Sequence, residues 1–105
     1  MPEVNIKVEV KQDYKSHYTG NFMFEYLTYG KPSGLSVTTS DWWVQVDRYY
    51  LYFINTEVLK MLCDNLNHHI DEESNSNYVV VKKDLFEIQP TVKIIERVPD
   101  EKNYE

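Results

Sequence analysis

The sequence predicts a small α/β (α+β) domain: a mixed, largely antiparallel sheet with one main helix. Three observations carry that expectation. An apolar–polar alternation runs unbroken through residues 4–11, several short aromatic and β-branched runs are separated by turn formers, and one later stretch repeats its apolar residues at helical spacing. With 105 residues, the chain has room for one domain over residues 1–98 and a charged tail over 99–105. It is too short for a barrel enzyme or a dinucleotide-binding fold with a substrate domain.

Taken in order, residues 4–11 (Val-Asn-Ile-Lys-Val-Glu-Val-Lys) predict a strand whose apolar members Val4, Ile6, Val8 and Val10 face the core. Asn5, Lys7, Glu9 and Lys11 then share the opposite face, where they meet solvent or line a site. Residues 12–20 are polar, close on Gly20 and read as a loop with at most one helical turn. Residues 21–29, rich in Phe and Tyr with Glu25 as their only charge, suit a second strand. Gly30, Pro32 and Gly34 mark a turn, and residues 36–41 a short helical turn. Residues 42–46 and 49–54 flank Asp47-Arg48 as a hairpin.

Asn55 or Thr56 caps the main helix, expected from Glu57 to Ile70, where Val58, Leu59, Leu62, Cys63, Leu66 and Ile70 fall on one side. Residues 71–77 are acidic and polar and predict an exposed loop. A short strand over 78–81, an ambiguous segment over 83–89 and a last strand over 91–98 complete the domain.

Charge and composition exclude several classes. No apolar stretch is long enough to span a bilayer and the N-terminus has no secretory signal core, so the expectation is a soluble, cytoplasmic protein with no membrane partner. One cysteine, Cys63, makes no internal disulfide and fits the apolar helix stripe as a small buried hydrophobe. With His68 and His69 it matches no structural zinc spacing. The net charge of -6 argues against nucleic-acid binding by bulk electrostatics. Residues 1–50 are nevertheless close to neutral, with five basic and six acidic groups, so a DNA site there needs bound cations or a symmetric partner. About half of Trp42, Trp43, Tyr49, Tyr50, Tyr52 and Phe53 must point inward, and surplus tyrosines suit an interface.

Glu9-Val10-Lys11 is the first constellation with chemistry. Two residues apart on a strand, the carboxylate and the ammonium share a face. The carboxylate can hold Mg²⁺ while the lysine meets a phosphoryl oxygen or a nucleophilic water, an arrangement suited to phosphodiester hydrolysis. The same pair equally suits an ordinary solvated strand face.

At these residues the chain resembles a family. Val8-Glu9-Val10-Lys11 with Asp13, Thr19-Gly20-Asn21 leading to Glu25, Gly30-Lys31-Pro32-Ser33-Gly34-Leu35 and Thr38-Thr39-Ser40-Asp41-Trp42-Trp43 resemble, in that order, phage-type members of the PD-(D/E)XK nuclease superfamily, with its resolvase-like enzymes. The resemblance covers roughly residues 6–60. It implies a restriction-endonuclease-like core and Mg²⁺- or Mn²⁺-dependent cleavage of DNA. Glu9 would be a metal ligand, Val10 would offer its carbonyl to the metal, and Lys11 would be the catalytic lysine. Lys15, Asn21, Lys31, Ser33, Thr38 and Thr39 are the candidate DNA contacts.

One feature of the family pattern is missing: a metal-binding aspartate on an earlier strand, after a first helix. Only Glu3 precedes Glu9 as an acid, and the chain is expected to begin within the nuclease core. The missing acid would come from Glu25 or Asp13, from a homo-oligomer, or from a complementary subunit. If Glu9 and Glu25 face each other across a hairpin, a shared ion is expected, and carboxylates on opposite faces exclude it. A catalytically silent DNA-binding or regulatory protein on the same scaffold, and an unrelated interaction protein with a tyrosine-rich interface, are the alternatives.

Overall fold

In the computed structural model, which describes residues 5–97, β1 (Val8–Gln12) leads through a single helical turn, α1 (Ser16–Thr19), into the long β2 (Asn21–Thr28). β3 (Lys31–Pro32), a 3-10 turn (Gly34–Ser36), β4 (Trp42–Val46) and β5 (Tyr50–Asn55) follow. Then come α2 (Thr56–Asp64), β6 (His68–Asp71), β7 (Ser76–Lys82), α3 (Lys83–Glu87) and β8 (Lys93–Glu96). The strands form two four-stranded sheets. The first, in the order β1-β4-β5-β8, pairs β1 parallel to β4 and is otherwise antiparallel; the second, β3-β2-β7-β6, is antiparallel throughout. The fold is therefore mixed α+β with few helices, as the periodicities predict.

The inner faces of the two sheets meet in one core. Phe22 and Phe24 of β2, Val79 and Val81 of β7, Tyr52 and Ile54 of β5 and Trp43 of β4 close on Leu59 of α2 and Phe86 of α3. The aromatic rings interlock, Phe24 stacked on Phe86 at 6.1 Å and Phe22 set edge-on to Tyr52 at 4.9 Å, geometries that add to simple burial.

β1 is a strand, but its predicted facing is reversed. Ile6, Val8 and Val10 are 61, 52 and 60% exposed, whereas Lys11 is half-buried. The parallel register Val8↔Trp42 and Val10↔Val44 puts these valines on the same side as the next strand's even-numbered residues. Trp43 and Gln45 of β4 and Tyr52 of β5 turn the other side of that sheet into the core. The bulk of the central strands, not the alternation of an edge strand, sets the parity of the sheet.

Turn chemistry explains the segments between strands. Tyr29 and Gly30, with φ of 50° and 76°, link β2 to β3 as a two-residue hairpin turn of the kind that follows strand twist. Gly34 has φ of 53°, and a Cβ there would collide with the Glu25 carbonyl, so only glycine lets the 3-10 turn lie against β2. The helical turn expected at 36–41 forms earlier because Ser33 and Ser36 make a reciprocal capping box. The β4–β5 hairpin turns at Arg48-Tyr49, one residue late, since Asp47 Oδ1 accepts the Tyr49 amide at 2.7 Å.

α2 starts as expected, with Asn55 Oδ1 accepting from the Glu57 amide at 3.0 Å, but ends at Asp64, not Ile70. Asn65 folds back through its Nδ2 onto the Met61 carbonyl at 2.8 Å. His68–Asp71 instead pairs with β7. The helical spacing of Leu66 and Ile70 is overridden by that pairing, and Ile70 is 68% exposed. Of the expected loop 71–77, only the hairpin turn between β6 and β7 remains, closed by Asp71 Oδ1 accepting from the Glu73 amide at 3.1 Å. The ambiguous 83–89 contains α3, which buries Phe86, and the last strand ends at Glu96. Val4, Val98 and the tail 99–105 lie outside the described residues. No helix among the described residues is long and apolar enough to cross a membrane.

Candidate metal and DNA site

The free edge of β2 organises the site. Gly20 accepts from the Lys83 amide at 3.0 Å, and the alternation of an antiparallel ladder then turns the Met23 amide and carbonyl away from β7. Both are satisfied from beyond the sheet. Lys11 Nζ donates to the Met23 carbonyl at 2.7 Å, and Asp13 Oδ2 accepts from the Met23 amide at 3.1 Å. Asp13 Oδ2 is also held by Gln45 Nε2 at 2.9 Å, and Gln45 Oε1 accepts from the Trp43 indole at 2.9 Å. One sheet is thus stitched to the edge of the other by side chains.

Burial lowers the Lys11 pKa below the ordinary lysine value, against the opposing pull of the Glu25 and Asp13 carboxylates. The ammonium also lies 5.9 Å from the Phe24 ring centroid. Beside it opens a cleft of about 390 Å³ whose walls include Lys11, Asp13, Tyr14, Lys15, Met23 and Glu25. Glu25 Oε2 accepts from Thr28 Oγ1 at 3.2 Å.

Glu9 is exposed and does not line the cleft. It shares the Lys11 side of β1, but β1 and β2 belong to different sheets, so no β1–β2 hairpin brings Glu9 and Glu25 together. On β2, Glu25 alternates with the core residues Phe22 and Phe24 and so lies on the outer side of its sheet. Among the described residues no group of three or more His, Cys, Asp or Glu converges closely enough to hold a metal ion. The oxygen donors present nonetheless suit a hard cation such as Mg²⁺, which commonly takes only one or two carboxylates and completes its shell with water and phosphate.

The Val10 carbonyl lies at the open edge of β1. Lys7 O accepts from the Trp42 amide at 3.2 Å, and the Asp13 amide donates to Val46 O at 2.7 Å. A regular parallel ladder between these bonds directs the backbone groups of Val8, Val10 and Gln12 away from β4. Among the described strands none pairs with that edge.

The remaining candidates are dispersed. Lys15 is exposed at the cleft, and Asn21 starts β2 with its amide on Thr19 Oγ1 at 3.1 Å. Lys31 and Thr39 are exposed, and neither lines the cleft. Ser33 is engaged in the capping box and with Thr28 Oγ1 at 2.8 Å. Thr38 Oγ1 donates to Ser40 Oγ at 2.9 Å and accepts the Ser40 amide at 3.2 Å, closing a local turn.

Sequence reasoning missed a second polar centre. Asp47, 1% exposed, pairs with the Lys83 ammonium, and Ser16 Oγ approaches Asp47 Oδ2 at 3.4 Å. Burial opposes ionisation of Asp47, but the Lys83 pair and the Tyr49 and Tyr50 amides outweigh it and hold the carboxyl below its ordinary value. Lys83 also lies 5.5 Å from the Phe22 ring centroid. The position of Asp47 in a turn gave no sign of this. Cys63 is fully buried, as expected, and burial pushes its thiol up to about 12.

No protein-family model, no curated protein and no solved structure matches the chain.

Proposed function

We propose that this chain carries the Glu-x-Lys part of a Mg²⁺- or Mn²⁺-dependent DNA endonuclease. The observation that supports the reading best is the cleft in which the Lys11 ammonium stands beside Asp13 and Glu25, next to the open edge of β1 that carries Glu9 and the Val10 carbonyl. In this reading Glu9 and the Val10 carbonyl are the residues that would hold the cation, and Glu25 stands beside Lys11 in the cleft. When bound, the cation supplies Lewis-acid polarisation of the phosphodiester and a more acidic water. Lys11 has three donor protons and spends one on Met23. The others are free to meet a phosphate oxygen as negative charge develops.

Lys15, exposed at the cleft, is the nearest phosphate contact, with Asn21, Lys31, Ser33, Thr38 and Thr39 as more distant contacts. A further acidic ligand comes from another chain, a second copy or a complementary subunit, whose strand pairs with the open edge of β1. The anchoring of Lys11 to a backbone carbonyl favours one alternative, a DNA-binding protein on this scaffold without cleavage.

The test is incubation of the chain with supercoiled, linear and four-way-junction DNA in Mn²⁺, with and without chelator. Chelator-sensitive nicking that disappears in Lys11→Ala and Glu9→Gln is the expected result. Salt-sensitive DNA binding without nicking, unchanged by either substitution, favours the non-cleaving alternative.

A further inference from the structure

Where the loop after β1, the β4–β5 turn and the end of β8 meet, aromatic rings and cations share one surface. The His17 ring packs edge-on between Tyr18 at 5.0 Å and Tyr49 at 4.9 Å. The Arg48 guanidinium lies 6.0 Å from the Tyr49 ring centroid, and the Arg97 amide donates to the Tyr49 carbonyl at 2.8 Å. The Arg97 guanidinium lies 5.5 Å from the Tyr14 ring centroid and donates through Nη1 to the Tyr14 hydroxyl at 3.0 Å. Tyr14, Tyr18 and Tyr49 are 41, 76 and 38% exposed, and Lys15 and His17 are exposed beside them. Both arginines of the chain stand here. The nearby acids are engaged or turned away: Asp47 is buried against Lys83, Asp13 takes the Met23 amide and Gln45 Nε2, and strand alternation sends Glu96 to the side opposite Arg97. A chain of net charge -6 thus keeps one cationic, tyrosine-rich surface.

We infer that this surface binds single-stranded DNA, with bases stacked on the tyrosine rings and phosphates on Lys15 and Arg97. Charge complementarity selects an anionic partner. The rings narrow the choice, because every nucleobase has a π-face but only an unpaired one can lie against a side chain that projects from the surface. An acidic peptide would use the cations and leave the tyrosines without a role. Arg97 is held ready for a phosphate: Nη1 serves the Tyr14 hydroxyl and the Asp47 carbonyl, the latter at 3.3 Å, which leaves the donors on Nη2 and Nε. The surface is also continuous with the Lys11 cleft. Tyr14 and Lys15 line that cleft, and Gln12 Nε2 donates to the Tyr14 hydroxyl at 3.3 Å. The inference deepens the proposed endonuclease by naming the form of DNA beside its cleft, and it rests on that reading for the strand's path towards Lys11. The binding itself needs neither a metal ion nor cleavage.

Fluorescence anisotropy of a labelled oligothymidylate of about 12 nucleotides, a length within the usual single-strand site sizes, tests it with the full chain in chelator. The oligothymidylate is expected to bind at least tenfold more tightly than a duplex of the same length. Tyr18→Ala is expected to weaken binding about fivefold or more, and Tyr18→Phe, which keeps the ring, to restore it. Lys15→Gln is expected to lower the slope of log affinity against log salt by about 0.7, one phosphate contact on a single strand. Tyr29→Ala, on a tyrosine 77% exposed in the β2–β3 turn, leaves binding unchanged. No binding, equal binding of duplex, equal competition by polyglutamate, or loss in Tyr29→Ala as large as in Tyr18→Ala overturns the inference. Failure of the nuclease reading looks different: nicking in Mn²⁺ is absent or insensitive to Lys11→Ala while the oligothymidylate still binds in chelator.

Discussion

The Lys11 ammonium donates to the Met23 carbonyl at 2.7 Å, so the residue with the best claim to phosphate chemistry also closes the unpaired edge of β2. The Asp13 carboxylate, which takes the Met23 amide at 3.1 Å, completes the clamp. Together they satisfy the strand-edge groups that would otherwise template pairing with another chain.

That double role separates two substitutions. Lys11→Met keeps the stem and removes the donor, losing a charge-assisted hydrogen bond at an exposed edge where water can replace it, and is expected to cost about 1 kcal/mol of stability in urea unfolding. Lys11→Arg can still reach the carbonyl and is expected to cost less. If Lys11 acts on phosphate, both variants lose cleavage, because a guanidinium does not reproduce a compact ammonium.

Asp47 and Lys83 predict an acid-sensitive fold. Asp47 is held below its ordinary value in the folded state, so the folded state binds its proton less readily than the unfolded chain. The stability from this group is present above the unfolded value of about 3.9 and is lost as pH falls through the lower folded value. Asp47→Asn leaves Lys83 unpaired and is expected to cost about 3 kcal/mol or more at neutral pH. Urea unfolding at neutral pH and at successively lower pH checks both, with a shallower acid decline in the variant.

Two glycines differ in what a methyl group meets. At Gly34 the new Cβ runs into the Glu25 backbone carbonyl, which cannot move without disturbing β2. At Gly30 it meets the end of the Asn75 side chain, at 2.6 Å from Nδ2, which can rotate away. Gly30→Ala is therefore expected to cost about 1 kcal/mol for its positive φ. Gly34→Ala is expected to lower the thermal midpoint considerably further, as a melting comparison of the two variants will show.

Strands β1, β2, β4, β5, β7 and β8 were legible because alternation and aromatic runs are local properties, and so was the Asn55 cap of α2, whereas β3 lay in an expected turn and β6 in the expected end of the helix. The facing of β1 was not. Whether Val8 or Lys11 points inward depends on Trp43 and Tyr52 filling the core from other strands. The end of α2 was hidden for a related reason: Leu66 and Ile70 continue the helical spacing, and only the pairing of His68–Asp71 with β7 takes them out of the helix. Within the site, the shared strand face of Glu9 and Lys11 could be read from their spacing. The Lys11–Met23 bond and the Asp47–Lys83 pair could not, since each joins segments that only the folded chain brings together.

Titration of Mn²⁺ into the ¹⁵N-labelled chain, with paramagnetic broadening of amide signals as the readout, tests the central claim most directly because it needs neither DNA nor a partner. The account predicts that signals of Glu9, Val10 and Lys11 broaden first, at substoichiometric ion, and that Glu9→Gln abolishes the selectivity. Broadening that begins instead at the acidic turn of Asp71, Glu72 and Glu73, or that shows no preferred site, would contradict it.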